Sequence, residues 1–418
     1  MATPFKIQVE SQNSGLLGLK QGQNEASKVT DLLQKDLELV HQVLTLYGTG
    51  ATTEIIDKAY DANKTYQLKA MKPKSDVVDK LEHGSDWSEY LGKGRNYATF
   101  FRFFQDEIER IGWQDTLKEY LFKDDARGRD MQSRLFAGIL HPLIQLLYGM
   151  EWEQPMIIAA ALAQTAVHRD DYHEFLSSAA KKAEGADAPP KMKTIPGLYE
   201  DVVKDETLVK SSHWEDSNRV FDGVLTRAKE EMINLAARVR VQESELDERT
   251  AEMVHNSAFV ASGAAFHPPY HPRFDFILMQ QSWISASTKA RFLENKIRMD
   301  LLQYIARGSP ALRTDLLREY KPKDGDKIVE KAENLFPRIH KIMDDGHTVK
   351  LARALMLAQR VTKPYQDKEW VRIKDDEWLK AVYVLMDANE EADSQGGTMW
   401  VRSAGFDEAW EEIPKAKM

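Results

Sequence analysis

Residues 155–167 read PMIIAAALAQTAV, the most apolar stretch of the chain, and the reading of this run decides the fold. Only Gln164 and Thr165 interrupt it. It is too short to cross a bilayer, which takes about 20 residues. Pro155 stands at its start, where a missing N–H is harmless to a helix. An apolar run of this kind, hydrophobic on all sides, is a helix buried at the centre of a larger helical body.

Working outward, the same helical spacing recurs. Tyr97 to Ile111 is an aromatic-rich helix carrying Phe100, Phe101, Phe103 and Phe104, ending at Gly112. Asp130 to Tyr148 is a second, stopped by Gly149. Ser27 to Tyr47 places Val29, Leu32, Leu33, Leu37, Val40 and Leu44 on one face, stopped by Gly48 and Gly50, and Thr52 then caps the next helix. Further helices are expected over Asp216–Val241, Ser244–Ala265, Ala286–Arg307, Asp326–Met343, His347–Gln359 and Glu377–Leu385. No alternating strand pattern exceeds about five residues.

The expectation is an all-α fold: a single compact multi-helix domain over residues 26–418, with buried central helices, after a flexible polar segment over residues 1–25. The loop at 183–191, AEGADAPPK, is the candidate internal boundary. Three prolines between His267 and Pro272 keep that stretch out of any helix interior. The last twenty residues, with Trp400, Phe406 and Trp410, read as a docked tail.

Composition narrows the chemistry. The 418 residues include no cysteine, which removes disulfides, cysteine zinc sites, iron–sulfur clusters and thiol nucleophiles. Any metal must rest on histidine, carboxylate, amide or a modified side chain. A net charge of −9, with no basic stripe, argues against a nucleic-acid partner. Nothing resembles an export signal or a membrane anchor, so a reducing, cytoplasmic setting is the default expectation. Dinucleotide, P-loop and serine-elbow motifs are missing. Trp87 to Gly92 approaches the opening of a tetratricopeptide repeat but does not recur at the required period.

Eleven histidines therefore carry most of the interest. His347 and Lys350, three residues apart, share a helix face that continues into Ala354. A lysine turned inward is costly unless neutral, paired or chemically altered. The plainer reading has Lys350 reaching solvent and His347 capping the helix. His141 and Gln145 share a face of a strongly apolar helix, as a polar pair in a core or as site residues. His168 ends the alanine-rich helix, where a cation suits the helix terminus. His41 lies among Val40, Val43 and Leu44. Four histidines in the most apolar helices of a helical protein resemble the way bundle interiors hold metals. His83, His173 and His340 are weaker candidates, and His267 and His271 sit in the proline loop.

The segments HQVLTLYGTGA (41–51), HPLIQLLYG (141–149), EQP (153–155) through ALAQTAVH (161–168), DDGHTVK (344–350) and WVRSAGFDEAW (400–410) resemble the questin oxidase family of fungal secondary metabolism. The resemblance runs from about residue 35 to the C-terminus. It implies an all-helical oxygenase that uses dioxygen to cleave or expand a ring of an anthraquinone-like aromatic polyketide. It also implies a non-haem Fe(II) centre built from histidines and a carboxylated lysine, which places His41, His141, His168, His347 and Lys350 at the metal. His347, Lys350 and His141 are then the catalytic group. Phe101, Phe104, Gln145, Tyr148, Trp152, His271 and Gln280 are the expected substrate contacts, and NADPH is a candidate reductant.

The chain departs from that pattern at Gln42, Gln145 and Gln280–Gln281, where members of the family often carry histidine. Two alternatives follow: a metal-free pocket enzyme performing a rearrangement or cyclisation, and a non-catalytic helical scaffold.

Overall fold

Every regular element among the described residues is helical, apart from one β-bridge between Thr3 and Lys6, so the fold is all-α. The structure is a computed structural model, and it describes residues 1–64, 72–83, 87–185, 191–263, 274–395, 400–401 and 403–411. Contacts divide the chain into two compact units. The first holds residues 1–174, 277–288 and 345–350, and the second holds 175–276, 289–344 and 351–418. The sequence suggested one domain with an internal boundary at 183–191. The contacts instead change over after Glu174, ahead of that loop.

The first unit contains α1 (Gln23–Lys35), α2 (Val40–Gly48), α3 (Thr53–Asn63), α4 (Ser75–Glu82), α5 (Tyr97–Ile111), α6 (Trp113–Leu117), α7 (Ala126–Leu135), α8 (His141–Glu151) and α9 (Pro155–Val167). The apolar run is α9, which packs against both α5 and α8. Ile157 through Ala163 are fully buried. Each large aliphatic side chain among them contributes about 1.5–3 kcal/mol of burial. Helix α5 has the bounds its pattern predicts, and Gly112 ends it at φ 81°.

Gly149 does not stop a helix, contrary to expectation. It lies inside α8, where an added Cβ would come within 2.7 Å of Ile158 Cγ1, so its function is close approach of α8 to α9. The real interruption of the expected 130–148 helix is at Gly138, Ile139 and Leu140, all with φ between 55° and 66°. Three consecutive left-handed residues turn the chain between α7 and α8, at a cost of about 1–2 kcal/mol for each non-glycine. The expected 27–47 helix is also split. Asp36 is extended and accepts a hydrogen bond from the Glu38 amide at 2.8 Å, a local turn that competes with the helix.

The N-terminal segment, expected to be flexible, is packed. Ile7 and Val9 are buried. Gln8 and Gln154 exchange two hydrogen bonds of 2.9 Å, and the Ile7 amide donates to Gln34 at 2.8 Å.

The second unit is built from α10 (His173–Glu184), α11 (Ile195–Lys204), α12 (Glu206–Val209), α13 (Leu225–Arg227), α14 (Lys229–Ala236), α15 (Leu246–Gly263), α16 (Phe274–Gln280), α17 (Ala286–Ala306), α18 (Thr314–Glu319), α19 (Phe336–Ile339), α20 (His347–Thr362) and α21 (Trp378–Gln395). The last residues of α16 and the first residues of α10, α17 and α20 are counted in the first unit. Two expected long helices are shorter here. Residues 326–343 contain only 3-10 turns and α19, because Pro337 is tolerated in a first turn and nowhere deeper. In 216–241 the helical dihedrals fail at Ala228. Of the C-terminal tail, the described part docks at Phe406, which packs on Trp214, and the Arg219 guanidinium lies over both rings; residues 412–418 lie outside the described residues. No helix among the described residues is long and apolar enough to cross a membrane.

Candidate active site

His41, His141, His168, His347 and Lys350 all fall within the first unit, although they are more than 300 residues apart at the extremes. The site is built on three helix starts and one helix end. Helix α2 carries His41 in its first turn, and the 138–140 turn delivers His141 as the first residue of α8. His168 follows the last residue of α9, and Gly346, at φ 84°, begins the turn that delivers His347 to α20.

The His41 ring stands 5.3 Å from His141 and 5.2 Å from Tyr148, nearly parallel to the latter. Tyr148 is buried, and its hydroxyl is hydrogen-bonded to Thr45. The Thr45 hydroxyl donates its own hydrogen to the His41 carbonyl at 2.6 Å. A hydroxyl has one hydrogen, so Tyr148 is the donor to Thr45. The Tyr148 ring is thereby fixed as a backing plate for His41.

His141 is open to water, yet protein crowds it enough that burial holds its pKa below the usual imidazole range. The charges of Lys350, His168 and His347 push the same way. His168 is half-buried, and burial lowers its pKa as well, against an opposing pull from Asp171. Its backbone is anchored by Arg134, which donates to the His168 carbonyl at 2.6 Å while bridging to Asp130 at 2.8 Å.

The third component is the turn at Asp345. Its carboxylate is hydrogen-bonded to His347 Nδ1, and its carbonyl accepts from Lys350 Nζ at 3.2 Å. Burial raises the Asp345 pKa, but the His347 hydrogen bond and the charges of His347 and Lys350 outweigh it and hold the carboxyl low. Gly346 packs the turn on α2: a Cβ there would meet Gln42 Cγ at 2.8 Å. Asp345 was not among the residues singled out in the sequence. The available signal was an acidic side chain directly before a Gly-His pair.

The expected substrate contacts are less concentrated. Gln145 is buried and donates to the Leu37 carbonyl at 3.2 Å. Phe104 is fully buried in a ring cluster with Trp87, Phe103 and Tyr120. Phe101 is partly exposed and stacks on Tyr97. Trp152 is buried beside Tyr47 and under Gly15. Gln280 is exposed, and His271 lies outside the described residues. Of these, the described contacts join only Tyr148 to the histidine group.

The donor chemistry suits a borderline metal, since neutral imidazoles are its preferred nitrogen ligands. Among the described residues, however, no three His, Asp or Glu side chains converge closely enough to hold an ion.

Residues 38–355 match the questin oxidase-like family. The chain is 33% identical to the oxidoreductase AflY of Aspergillus parasiticus, over 90% of this chain and 83% of the relative. It is 32% identical to a questin oxidase of Aspergillus fumigatus, over 90% and 88%. It is also 32% identical to the Baeyer-Villiger oxidase mdpL of Emericella nidulans, over 90% and 87%. With the match running through every histidine of the group, the chain belongs to the questin oxidase-like family and is an oxidoreductase.

Proposed function

We propose that the protein is an oxygenase acting on an anthraquinone-like aromatic polyketide, with dioxygen as co-substrate and ring cleavage or Baeyer-Villiger-type oxygen insertion as the reaction. The observation that carries this is that four histidines and Lys350 belong to one compact unit, with the His41 and His141 rings 5.3 Å apart. The names of the relatives, questin oxidase and Baeyer-Villiger oxidase, support the substrate class and the reaction type.

His41, His141, His168 and His347 are the residues that would hold Fe(II), with Lys350, carboxylated by carbon dioxide, as an oxygen ligand. Bound there, the metal would supply activation of dioxygen. The chain's own groups do the rest. His141, held neutral by its surroundings, keeps its one imidazole lone pair available for the ion. Tyr148 and Thr45 keep the His41 ring from turning. Arg134 keeps the His168 backbone in place.

A second reading, a metal-free oxidation at the same residues, is favoured by two observations. No three ligand side chains converge among the described residues, and the Gln145 amide is engaged with Leu37. One experiment separates the two. Protein purified without chelator is assayed for iron and turned over with a hydroxyanthraquinone under isotopically labelled dioxygen, with and without NADPH. Stoichiometric iron and labelled product support the metal reading. Labelled product with iron below roughly a tenth of an equivalent supports the metal-free reading. Absence of label from every product overturns the oxygenase assignment.

A further inference from the structure

Ile139 combines two properties that a folded chain avoids. Its backbone is left-handed, at φ 55° and ψ 45°. Its side chain is 63% exposed. A β-branched residue in this region is an outlier, because its side chain crowds the backbone that glycine leaves open. Among the described residues, Ile139 is the one β-branched residue with a positive φ. Leu140 shares the conformation at φ 66°, but it is buried, so packing offsets its strain. Exposure denies Ile139 that compensation. Glycine or asparagine would adopt the same turn at lower cost.

The turn lies beside the histidines. On one side of Ile139 is Gly138, where an added Cβ would come within 2.6 Å of His168 Cε1. Two residues beyond Ile139 is His141, which is open to water and has its ring 5.3 Å from that of His41. The backbone around Ile139 is pinned: the Leu140 amide donates to the Ala137 carbonyl at 3.0 Å, and both residues are buried. The left-handed geometry is thus imposed on whatever residue stands at 139. Strained residues held by their surroundings gather at ligand contacts.

A polycyclic aromatic ligand is bound largely by apolar side chains, and these must be open before it arrives. Phe104, Tyr148 and Trp152 are already buried, and Phe101 is stacked on Tyr97. Ile139 presents open apolar surface next to two of the histidines. We infer that Ile139 is a specificity-determining substrate contact: its exposed side chain packs on the ring face of a bound hydroxyanthraquinone-like molecule, which buries it and offsets the strain of its backbone. The contact rests on the substrate class proposed above, whereas the strain is a property of the chain alone.

The test uses the full-length protein and has two parts. Urea denaturation of Ile139→Gly reads the strain. Its midpoint is expected at or above that of wild type, since relief of the left-handed strain offsets the greater freedom of glycine in the unfolded chain. A clearly lower midpoint overturns the proposal, because the side chain would then be held by the protein's own packing.

Titration with alizarin, a hydroxyanthraquinone, followed by its visible absorption, reads the contact. Ile139→Val is expected to weaken binding about 2-fold and Ile139→Ala about 10-fold, as apolar area is removed in steps from the same position. Ile139→Asn, polar and tolerant of the left-handed region, is expected to bind as weakly as Ile139→Ala. Equal binding across the series overturns Ile139 as a contact and leaves the substrate class standing. If wild type binds no alizarin, the substrate class fails and the contact fails with it, while the urea result still decides the strain. A change in the sedimenting mass of Ile139→Ala at unchanged alizarin affinity also overturns the proposal, by assigning the side chain to contact with a second copy of the chain.

Discussion

Gly138 lies directly against the imidazole of His168: a Cβ at position 138 would come within 2.6 Å of its Cε1 and 2.8 Å of its Nε2. The glycine also adopts φ 55°, so two constraints meet at one position. Gly138→Ala is expected to strain the turn by about 1–2 kcal/mol and to push the His168 ring aside at a further cost of about 1–3 kcal/mol. Urea denaturation reads the loss of stability. The His168 imidazole signals read the displacement, and unchanged signals would show that the ring does not depend on this contact.

Tyr148 backs His41 with its ring and holds Thr45 with its hydroxyl, and the two contributions are separable. Tyr148→Phe removes one buried hydrogen bond and is expected to cost about 0.5–1.5 kcal/mol while the stacking survives. Tyr148→Ala removes the ring and is expected to cost about 3–5 kcal/mol. If the ring sets the His41 orientation, turnover should fall far more in the alanine variant than in the phenylalanine variant after allowance for the folded fraction. Equal losses would assign the effect to the hydroxyl.

The sequence is legible where side-chain periodicity alone determines structure. Helices α5 and α9 end where their glycine, proline and apolar spacing say they should. The burial cost of histidine in apolar helices likewise pointed to His41, His141, His168 and His347, which belong to one unit. Periodicity is silent where an apolar residue adopts an unusual backbone. Ile139 and Leu140 are left-handed, yet they read as helix interior, so the turn that delivers His141 was invisible. Aromatic content was also ambiguous. Phe104 belongs to a closed ring cluster, and nothing in its spacing distinguishes that from a pocket wall. Asp345 went unnoticed because Asp-Gly is ordinary turn chemistry, and only the hydrogen bond to His347 gives it a second role.

Lys296 and Asp300 form an ion pair one turn apart on α17, with Nζ 2.6 and 2.7 Å from the two carboxylate oxygens. Both residues are buried, Lys296 completely. Burial is the main influence on Asp300 and raises its pKa, while Lys296 pulls it back. Lys296→Met leaves a carboxylate without its counter-charge and is expected to cost about 3–5 kcal/mol. The double variant Lys296→Met with Asp300→Leu removes the charge problem and is expected to recover most of that loss. A double variant as unstable as the single one would show that packing around the pair, and not its charge, is what matters.

His255 carries the clearest pH signature. It is fully buried, its Nε2 accepts the Arg372 amide at 2.8 Å and the Ile373 amide at 3.3 Å, and Nδ1 meets the Thr362 hydroxyl at 3.2 Å. Two N–H donors on Nε2 require a neutral ring. Burial, reinforced by the charges of Lys374 and Arg372, pushes its pKa down to about 3. Above the unfolded pKa of about 6.5, neither folded nor unfolded His255 binds a proton, and the network contributes fully. As pH falls below that value, the unfolded chain takes up a proton that the folded one refuses, so stability falls. At pH 5 the loss is about 2 kcal/mol for any folded pKa well below 5, because it then depends only on the unfolded value. His255→Gln keeps an acceptor for the amides and removes the titration. Its stability should be lower than wild type at pH 7, but the drop between pH 7 and pH 5 should be smaller by about 2 kcal/mol. Parallel curves for the two proteins in denaturant titrations at both pH values would mean that His255 is already protonated in the fold, and the double-acceptor network would have to be redrawn.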